Sequence, residues 1–287
     1  MNDNIVVGID IGGSHITAAL VDLKAHALIS KSLIRRHVNS KDEAIKIIKE
    51  WTGAIANCKA YNSSTSNKIG IAMPGPFDYE KGISFIKGLD KYDALYKLNV
   101  KHLIANELGI TKEDIFLMND ASCFLKGEVF GGAARDQNSV IGITLGTGLG
   151  SAFYKDGVVY DGDLYCTNYK DSTAEEYLST RWFIKRYHQQ TGKNVNNVKE
   201  IRDGIPSDLI ATAIFKEFGK NLGEVLAMYI KRHNAGYVVV GGNIIHAWHL
   251  FMPETMSVLQ DHNVNIPLVK AQLGEDAALL GAGSLCT

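Results

Sequence analysis

The chain has 287 residues, of which 46% are hydrophobic, enough for two domains or one large domain with a substantial core. Its formal charge of −1 indicates neither a nucleic-acid partner nor an anionic membrane surface. No apolar run reaches the ~18 residues that a membrane span needs. The four cysteines are far apart, so neither a disulfide framework nor a zinc knuckle is predicted. Because strand-like sequence begins within a few residues of Met1, we expect no signal peptide. The scattered cysteines make a reducing cytoplasm the expected location.

The first strong pattern is a strand, a glycine turn and a second strand within residues 5–21. Gly12 and Gly13 have no Cβ, so the backbone there can approach a ligand, and consecutive N–H groups can cradle a phosphate. Asp10 ends the first strand, where a carboxylate can hold Mg²⁺ directly or through water. The alternative is an ordinary edge hairpin whose turn carries an aspartate.

The first half of the chain then alternates strand and helix patterns, which predicts crossover units and a partly parallel sheet. Pro74-Gly75-Pro76 stops one strand, and Asn119-Asp120 ends another. The predicted elements are a strand at 27–35, a helix at 41–56, a strand at 68–73, a long loop at 77–97, a helix at 99–108, a strand at 114–118 and a helix at 121–130.

The second half repeats the opening theme. A strand at 140–145, a glycine-rich turn at 146–150 and a returning strand at 151–154 predict a duplicated domain with a second glycine turn. The remaining predicted elements are a long helix at 173–190, one or two helices within 208–233, a strand at 235–240, a helix from Gly241-Gly242-Asn243 to about 253, and a last helix at 277–285.

Five segments in order resemble the ROK family of sugar kinases, within the actin/hexokinase/Hsp70 ATPase superfamily. The resemblance implies an α/β protein of two actin-like ATPase (ribonuclease H-like) domains with ATP and sugar in the cleft between them. The expected N-terminal domain covers 1–120 and is completed by a C-terminal helix at 275–287, and the second domain covers 121–274. The segments are Asp10-Ile11-Gly12-Gly13-Ser14, Pro74-Gly75, Asn119-Asp120-Ala121, Leu145-Gly146-Thr147-Gly148-Leu149-Gly150 and Val240-Gly241-Gly242.

By its place in the family motif, Asp120 is the candidate general base that accepts a proton from a sugar hydroxyl. Asn119 would bind a neighbouring hydroxyl. The alternative is that Asp120 only caps the helix beginning at Ala121, because aspartate is a favoured N-cap.

The resemblance also implies an ATP and Mg²⁺ site. Asp10 would orient the metal ion. The glycine turn at 146–150 would bind phosphate, and the alternative is that it is a plain hairpin turn. The remaining residues implied in ATP binding are Gly12, Gly13 and Ser14 for the phosphates, Gly146, Thr147 and Gly148 in the opposing turn, and Gly241 and Gly242 for the adenosine.

The sugar site is where the chain departs from the family pattern. Members usually carry Glu-x-Gly-His after the second glycine turn and then a cysteine-rich zinc loop, and neither is present in 160–171, so we predict no zinc. Glu175 aligns with the family's sugar-binding glutamate, and Glu176 should point to a different face of the helix. Alternatively, both are only acidic residues of a first helical turn, where the helix dipole favours negative charge. Gly75 would bring a backbone N–H to the sugar. The candidate replacements for the missing contacts are Asp163, Tyr165, Asn168 and the segment 87–90.

The resemblance implies an ATP-dependent kinase that phosphorylates a hexose, glucose or a close relative, at its primary hydroxyl. The alternatives are a catalytically weak sugar sensor of the same family, or a kinase of another branch acting on acetate, N-acetylglucosamine or glycerol. Helix-turn-helix repressors of the family carry an N-terminal DNA-binding domain, and because the kinase-like strand begins at residue 5 we do not expect DNA binding here. The expected partner is a small sugar, and a homodimer is expected only because many relatives form one.

Overall fold

The computed structural model describes residues 4–204 and 208–287. Internal contacts divide these into two compact units: residues up to 135 together with 272–287 form the first unit, and residues 136–271 form the second. In the described part of the chain, no helix is long and apolar enough to span a membrane.

The first unit is a five-stranded mixed sheet with helices packed on it. Its strands run in the order β3-β2-β1-β4-β7; β1 pairs antiparallel with β2 and parallel with β4, and β4 pairs parallel with β7. The elements are β1 (Ile5–Ile11), β2 (His15–Asp22), β3 (Ala27–His37), α1 (Ala44–Lys59), β4 (Ile69–Met73), β5 (Phe77–Asp78), β6 (Ile83–Ser84), α2 (Val100–Leu108), β7 (Ile115–Asn119) and α3 (Asp120–Gly131).

The second unit has a sheet of the same design, in the order β10-β9-β8-β13-β14, with β8, β13 and β14 parallel. The elements are β8 (Ser139–Leu145), β9 (Leu149–Lys155), β10 (Val158–Asp161), β11 (Asn168–Tyr169), β12 (Ser172–Thr173), α4 (Ala174–Tyr177), α5 (Thr180–Thr191), α6 (Val198–Asp203), α7 (Leu209–His233), β13 (Tyr237–Gly241), α8 (Trp248–Asp261) and β14 (Leu268–Lys270), after which α9 (Asp276–Gly283) returns to the first unit.

The sequence patterns explain both cores. The apolar runs of β1 and β4 are buried along almost their whole length, as expected of inner strands with both faces covered. Helix α1 turns its apolar stripe, including Ile47, Ile48 and Trp51, toward this sheet. In the second unit, aromatic residues of α5, α7 and α8 pack together around Phe218. The shared strand order confirms the predicted duplication of two α/β domains.

Helix α3 belongs to the first unit because it packs closely on α9. A Cβ on Gly281 would lie 1.8 Å from the Cys123 carbonyl oxygen, and one on Gly127 would lie 2.0 Å from that of Ala277. The two helices therefore approach backbone to backbone. The predicted domain boundary after residue 120 lies at the start of α3, whereas the observed division follows Arg135.

Glu128 of α3 holds two chain segments of the first unit, one that precedes the second unit in sequence and one that follows it. Its side chain is fully buried. Oε2 accepts hydrogen bonds from the N–H groups of Ala133 at 2.7 Å and Gln272 at 3.1 Å, and Oε1 accepts one from Leu273 at 2.8 Å. One carboxylate thus ties the outgoing and the returning chain to the same helix.

The prediction of a single helix at 173–190 is wrong. The chain forms α4 and α5, separated at Leu178 and Ser179, and Ser179 has an extended backbone. Leu178 and Ser179 are both buried at the break. The periodicity of apolar residues continues through this break, which is why the sequence pattern did not reveal it.

Two further predictions need correction. The helix expected to begin at Gly241-Gly242-Asn243 and end near 253 is a 3-10 turn at Asn243–Ala247 followed by α8, which continues past Pro253 to Asp261. Pro253 is the sixth residue of α8, beyond its first turn, so it removes one internal hydrogen bond without ending the helix. The loop expected at 77–97 contains the short β5–β6 hairpin and a 3-10 turn at Asp93–Leu95.

Candidate active site

Three parallel strands of the first unit end at one edge of its sheet. Asp10 on β1 pairs with Ala72 of β4, and Met73 of β4 pairs with Asn119 of β7. Gly75 lies two residues after the end of β4. The fold therefore gathers the predicted residues of this unit where ligands bind in sheets of this kind, at the carboxyl ends of parallel strands.

Asn119, rather than Asp120, caps helix α3. Its side-chain oxygen accepts hydrogen bonds from the N–H groups of Ala121 at 2.9 Å and Ser122 at 3.3 Å. Asp120 is the first helical residue, and its Oδ1 accepts from Ala121 at 2.9 Å. The interpretation of Asp120 as the helix cap is therefore wrong, because its neighbour performs that function.

Tyr79 is a site residue that the sequence did not reveal. Asn119 Nδ2 donates a hydrogen bond to the Tyr79 hydroxyl at 3.2 Å, and that hydroxyl donates to the Met73 carbonyl at 3.0 Å. A Cβ on Gly75 would lie 3.2 Å from the same hydroxyl. Tyr79 thus fixes the amide of Asn119 and lies beside Gly75. The loop that contains it lacks periodicity, and only its aromatic content hinted at a role.

Asp10 lies in an electrostatically unfavourable position. Burial, followed by the negative charge of Asp120, raises the pKa of its carboxyl from 3.8 to about 6. Arg35 lowers this pKa and Glu275 raises it, to smaller extents. Two carboxylates that repel each other at the end of a sheet favour a cation. Their oxygens are the ligands that Mg²⁺ prefers, and one or two such groups with phosphate and water complete its usual coordination. The residues present therefore fit a Mg²⁺ ion at Asp10.

The first glycine turn is open to solvent. Gly12 donates its N–H to the His15 carbonyl at 2.9 Å, and the buried Tyr92 donates its hydroxyl to the Gly12 carbonyl at 2.6 Å. Neither Gly12 nor Gly13 has a positive φ, and a Cβ on either would meet nothing closer than 3.6 Å. The backbone therefore does not require these glycines, and their small size serves instead to keep the surface free. Ser14 Oγ lies 2.8 Å from His15 Nδ1.

In the second unit, the ends of β8 and β13 lie together. Gly242 has a φ of 85°, and a Cβ there would lie 2.3 Å from the Leu145 carbonyl oxygen. Only glycine fits this position. Gly241 pairs with Thr144, so the predicted adenosine segment lies against the strand that leads into the Gly146 turn.

The turn at Gly146-Thr147-Gly148 is closed by an internal hydrogen bond and is also bonded by Thr180 of helix α5. Gly146 donates its N–H to the Gly148 carbonyl at 3.1 Å. The Gly146 carbonyl accepts from the N–H of Thr180 at 2.8 Å and from its hydroxyl at 3.0 Å. A plain hairpin needs no such support, so the turn is a fixed element of the unit.

Glu175 supports the other side of this turn. Its Oε2 accepts the Leu149 N–H at 2.9 Å and would lie 2.6 Å from a Cβ on Gly148. Its Oε1 forms a 2.9 Å ion pair with Arg181 Nη2, which also lies 3.3 Å from Glu176. The Glu175 side chain is 28% exposed and that of Glu176 50%. Glu175 is thus the inward-facing glutamate, as expected, and its contact with sugar stays a prediction.

The segment that replaces the family's zinc loop is tied to helix α7 by polar contacts. The Tyr169 hydroxyl donates to Glu224 at 2.5 Å, and Lys170 Nζ donates to Asn221 at 2.7 Å. Cys166 is exposed, and residues 4–204 and 208–287 contain no cluster of three or more histidine, cysteine or acidic side chains that could bind a metal. The absence of zinc from the working protein stays a prediction.

Of the other candidate sugar contacts, Asp163 lies 3.4 Å from Arg232, whereas Tyr165 is half exposed. Asn168 is exposed on β11, where it pairs with Thr173. Because the side chains of Tyr165 and Asn168 are exposed, a ligand could reach both of them.

Comparison with known proteins agrees with this geometry. The model described as "ROK family" matches residues 6–287. The chain belongs to the ROK family. It is 23% identical to the glucokinase of Thermotoga maritima over 98% of this chain and 96% of that one. It is 23% identical to the N-acetyl-D-glucosamine kinase of Photobacterium profundum over 97% and 98%.

A ROK family glucokinase from Streptomyces griseus, solved with glucose and AMPPNP, superposes with a TM-score of 0.75 at 21% identity and covers 98% of each chain. The predicted two-domain actin-like fold of a ROK protein is confirmed. The family model establishes the family and the solved structure supports the fold, whereas the substrate of this ROK protein is a separate question.

The raised pKa of Asp10 predicts a pH-dependent stability. Between about pH 4 and pH 6 the folded protein holds a proton that the unfolded chain releases, so the free energy of unfolding falls as pH rises through this window. We expect Asp10→Asn to raise the free energy of unfolding by about 2–3 kcal/mol at pH 7.5, and by little at pH 4.

Urea unfolding at the two pH values measures this effect, with the exposed Asp261→Asn as the control. A variant that is no more stable than Asp261→Asn at pH 7.5 would contradict the burial argument. Mg²⁺ should raise the free energy of unfolding of the wild type and not that of Asp10→Asn, since only the wild type keeps the carboxylate that would bind the ion.

Proposed function

We propose that this ROK protein transfers the γ-phosphoryl group of ATP to the primary hydroxyl of a hexose. The observation that carries the proposal is the position of Asp120. Asn119 caps α3, and the only hydrogen bond of the Asp120 side chain within the described residues is made by Oδ1. Asp120 Oδ2 is therefore available to a substrate hydroxyl. A carboxylate so placed can accept the hydroxyl proton as that oxygen attacks phosphorus.

The ATP site in this proposal uses both glycine turns. The open surface at Gly12-Gly13-Ser14 and the fixed turn at Gly146-Thr147-Gly148 offer N–H and hydroxyl donors to phosphate oxygens. Asp10 would hold Mg²⁺, which neutralises phosphate charge when bound. The relative from Streptomyces griseus was solved with AMPPNP, which supports ATP as the phosphoryl donor.

The sugar class follows from the relatives and from Glu175. The similar proteins act, by their names, on glucose and on N-acetyl-D-glucosamine, so we propose a hexose or an N-acetylhexosamine. A sugar hydroxyl would take the place of Arg181 at Glu175 Oε1. Arg181 Nη2 can then stay on Glu176, which it already contacts at 3.3 Å. The Glu175 carboxylate would then accept hydrogen bonds from the Leu149 N–H and the sugar hydroxyl in place of its ion pair.

ATP consumption with Mg²⁺ across a panel of glucose, mannose, fructose, N-acetylglucosamine, N-acetylmannosamine, acetate and glycerol tests the proposal. We expect turnover with one or a few hexoses and none with acetate or glycerol. Turnover with acetate or glycerol alone would overturn the hexose assignment. Absence of turnover with every compound, together with a thermal shift caused by a sugar, would replace the kinase by the sugar sensor.

A further inference from the structure

The Gly146-Thr147-Gly148 turn contains two glycines, and its shape must come from its surroundings. Glycine loses more conformational freedom on ordering than any other residue, so a glycine turn does not hold one arrangement by itself. A Cβ on Gly146 would meet nothing within 4 Å, so side-chain packing does not fix that residue either. Hydrogen bonds to the turn are what remain.

Thr180 fixes the first peptide group of the turn. Its N–H and hydroxyl both donate to the Gly146 carbonyl, at 2.8 and 3.0 Å. The Gly146–Thr147 bond is trans, so the Thr147 N–H points opposite to that carbonyl. Holding the carbonyl toward Thr180 therefore directs the Thr147 N–H away from helix α5.

Glu175 fixes the last peptide group in the same way. Its Oε2 accepts the Leu149 N–H at 2.9 Å, and the Gly148 carbonyl of the same peptide group accepts the Gly146 N–H at 3.1 Å. Both ends of the turn are thus oriented. Within the described residues, the N–H groups of Thr147 and Gly148 make no hydrogen bond, so these are the donors left for a ligand.

We propose that Thr180 and Glu175 are positioning residues that orient the Thr147 and Gly148 N–H groups toward the phosphates of ATP. The assignment rests on the proposed kinase function. The break between α4 and α5 serves this purpose, because an unbroken helix would use the Thr180 N–H internally. Because Glu175 is also the proposed sugar contact, one carboxylate connects the sugar to the phosphate turn.

Thr180→Val tests the assignment, since it removes the hydroxyl and keeps the branched shape. We expect the KM for ATP to rise about three- to tenfold, because one hydrogen bond is lost. The KM for the sugar should change by less than about twofold. Thr180→Ser should restore the wild-type KM. Thr191→Val is the matched control, because the Thr191 hydroxyl donates to the Tyr187 carbonyl at the far end of the same helix.

AMPPNP binding measured by calorimetry separates failure of this assignment from failure of the kinase proposal. We expect AMPPNP affinity to fall by the same factor in Thr180→Val and to be unchanged in Thr191→Val. A wild type that turns over sugar while Thr180→Val keeps its KM and AMPPNP affinity would overturn the positioning role alone. A wild type that neither binds AMPPNP nor consumes ATP would overturn the proposed function and this role together.

Discussion

Asp120→Asn is expected to lower kcat for sugar phosphorylation by about two to four orders of magnitude, because the amide cannot accept the hydroxyl proton. The fold should be retained. Asparagine is close to aspartate in shape, and Asn119 continues to cap α3. The variant also removes one of the charges that raises the pKa of Asp10, so its free energy of unfolding at pH 7.5 should equal or exceed that of the wild type.

Steady-state kinetics with the best substrate of the panel, together with urea unfolding, measure both effects. Asp156→Asn is the control, because Asp156 is exposed in a hairpin turn with a φ of 48° that asparagine tolerates. A kcat within about tenfold of the wild type would remove Asp120 from the role of general base. A lower kcat that comes with a large loss of stability would assign it a structural role instead.

Glu128→Ala is expected to produce the largest loss of stability, about 3–5 kcal/mol, because it removes a fully buried carboxylate that accepts hydrogen bonds from three backbone N–H groups. These donors belong to the outgoing chain at Ala133 and the returning chain at Gln272 and Leu273. The free energy of unfolding from urea titration measures the loss. Amide exchange at these three positions should also become faster, because their acceptor is gone.

Two further variants sharpen this result. Glu128→Gln keeps one acceptor oxygen and should lose less than Glu128→Ala, since its amide nitrogen replaces the other acceptor with a donor. Glu107→Ala removes an exposed glutamate of α2 and should change stability by less than about 0.5 kcal/mol. Equal stability of Glu128→Ala and Glu107→Ala would show that the buried carboxylate does not hold the two segments.

The local patterns of the sequence determined the longer strands and the two glycine turns. Alternating and continuous apolar runs define β1, β4 and β8 because burial of one or both faces imposes those patterns on any sheet. The same reasoning identified Asp10, Asn119 and Asp120, because each ends a predicted strand. Their catalytic assignment came from the family motifs, since residue type alone also allowed a helix cap.

Only the tertiary structure decided which contacts each of these residues makes. Tyr79 reaches Asn119 across 40 positions of sequence, and Glu128 reaches Leu273 across 145, so no local pattern records either hydrogen bond. The break before Thr180 was missed for the same reason. Apolar periodicity reports burial, which continues through Leu178 and Ser179, whereas the break allows Thr180 to bond Gly146. Periodicity encodes which face is buried, and long-range hydrogen bonds decide where the backbone must bend.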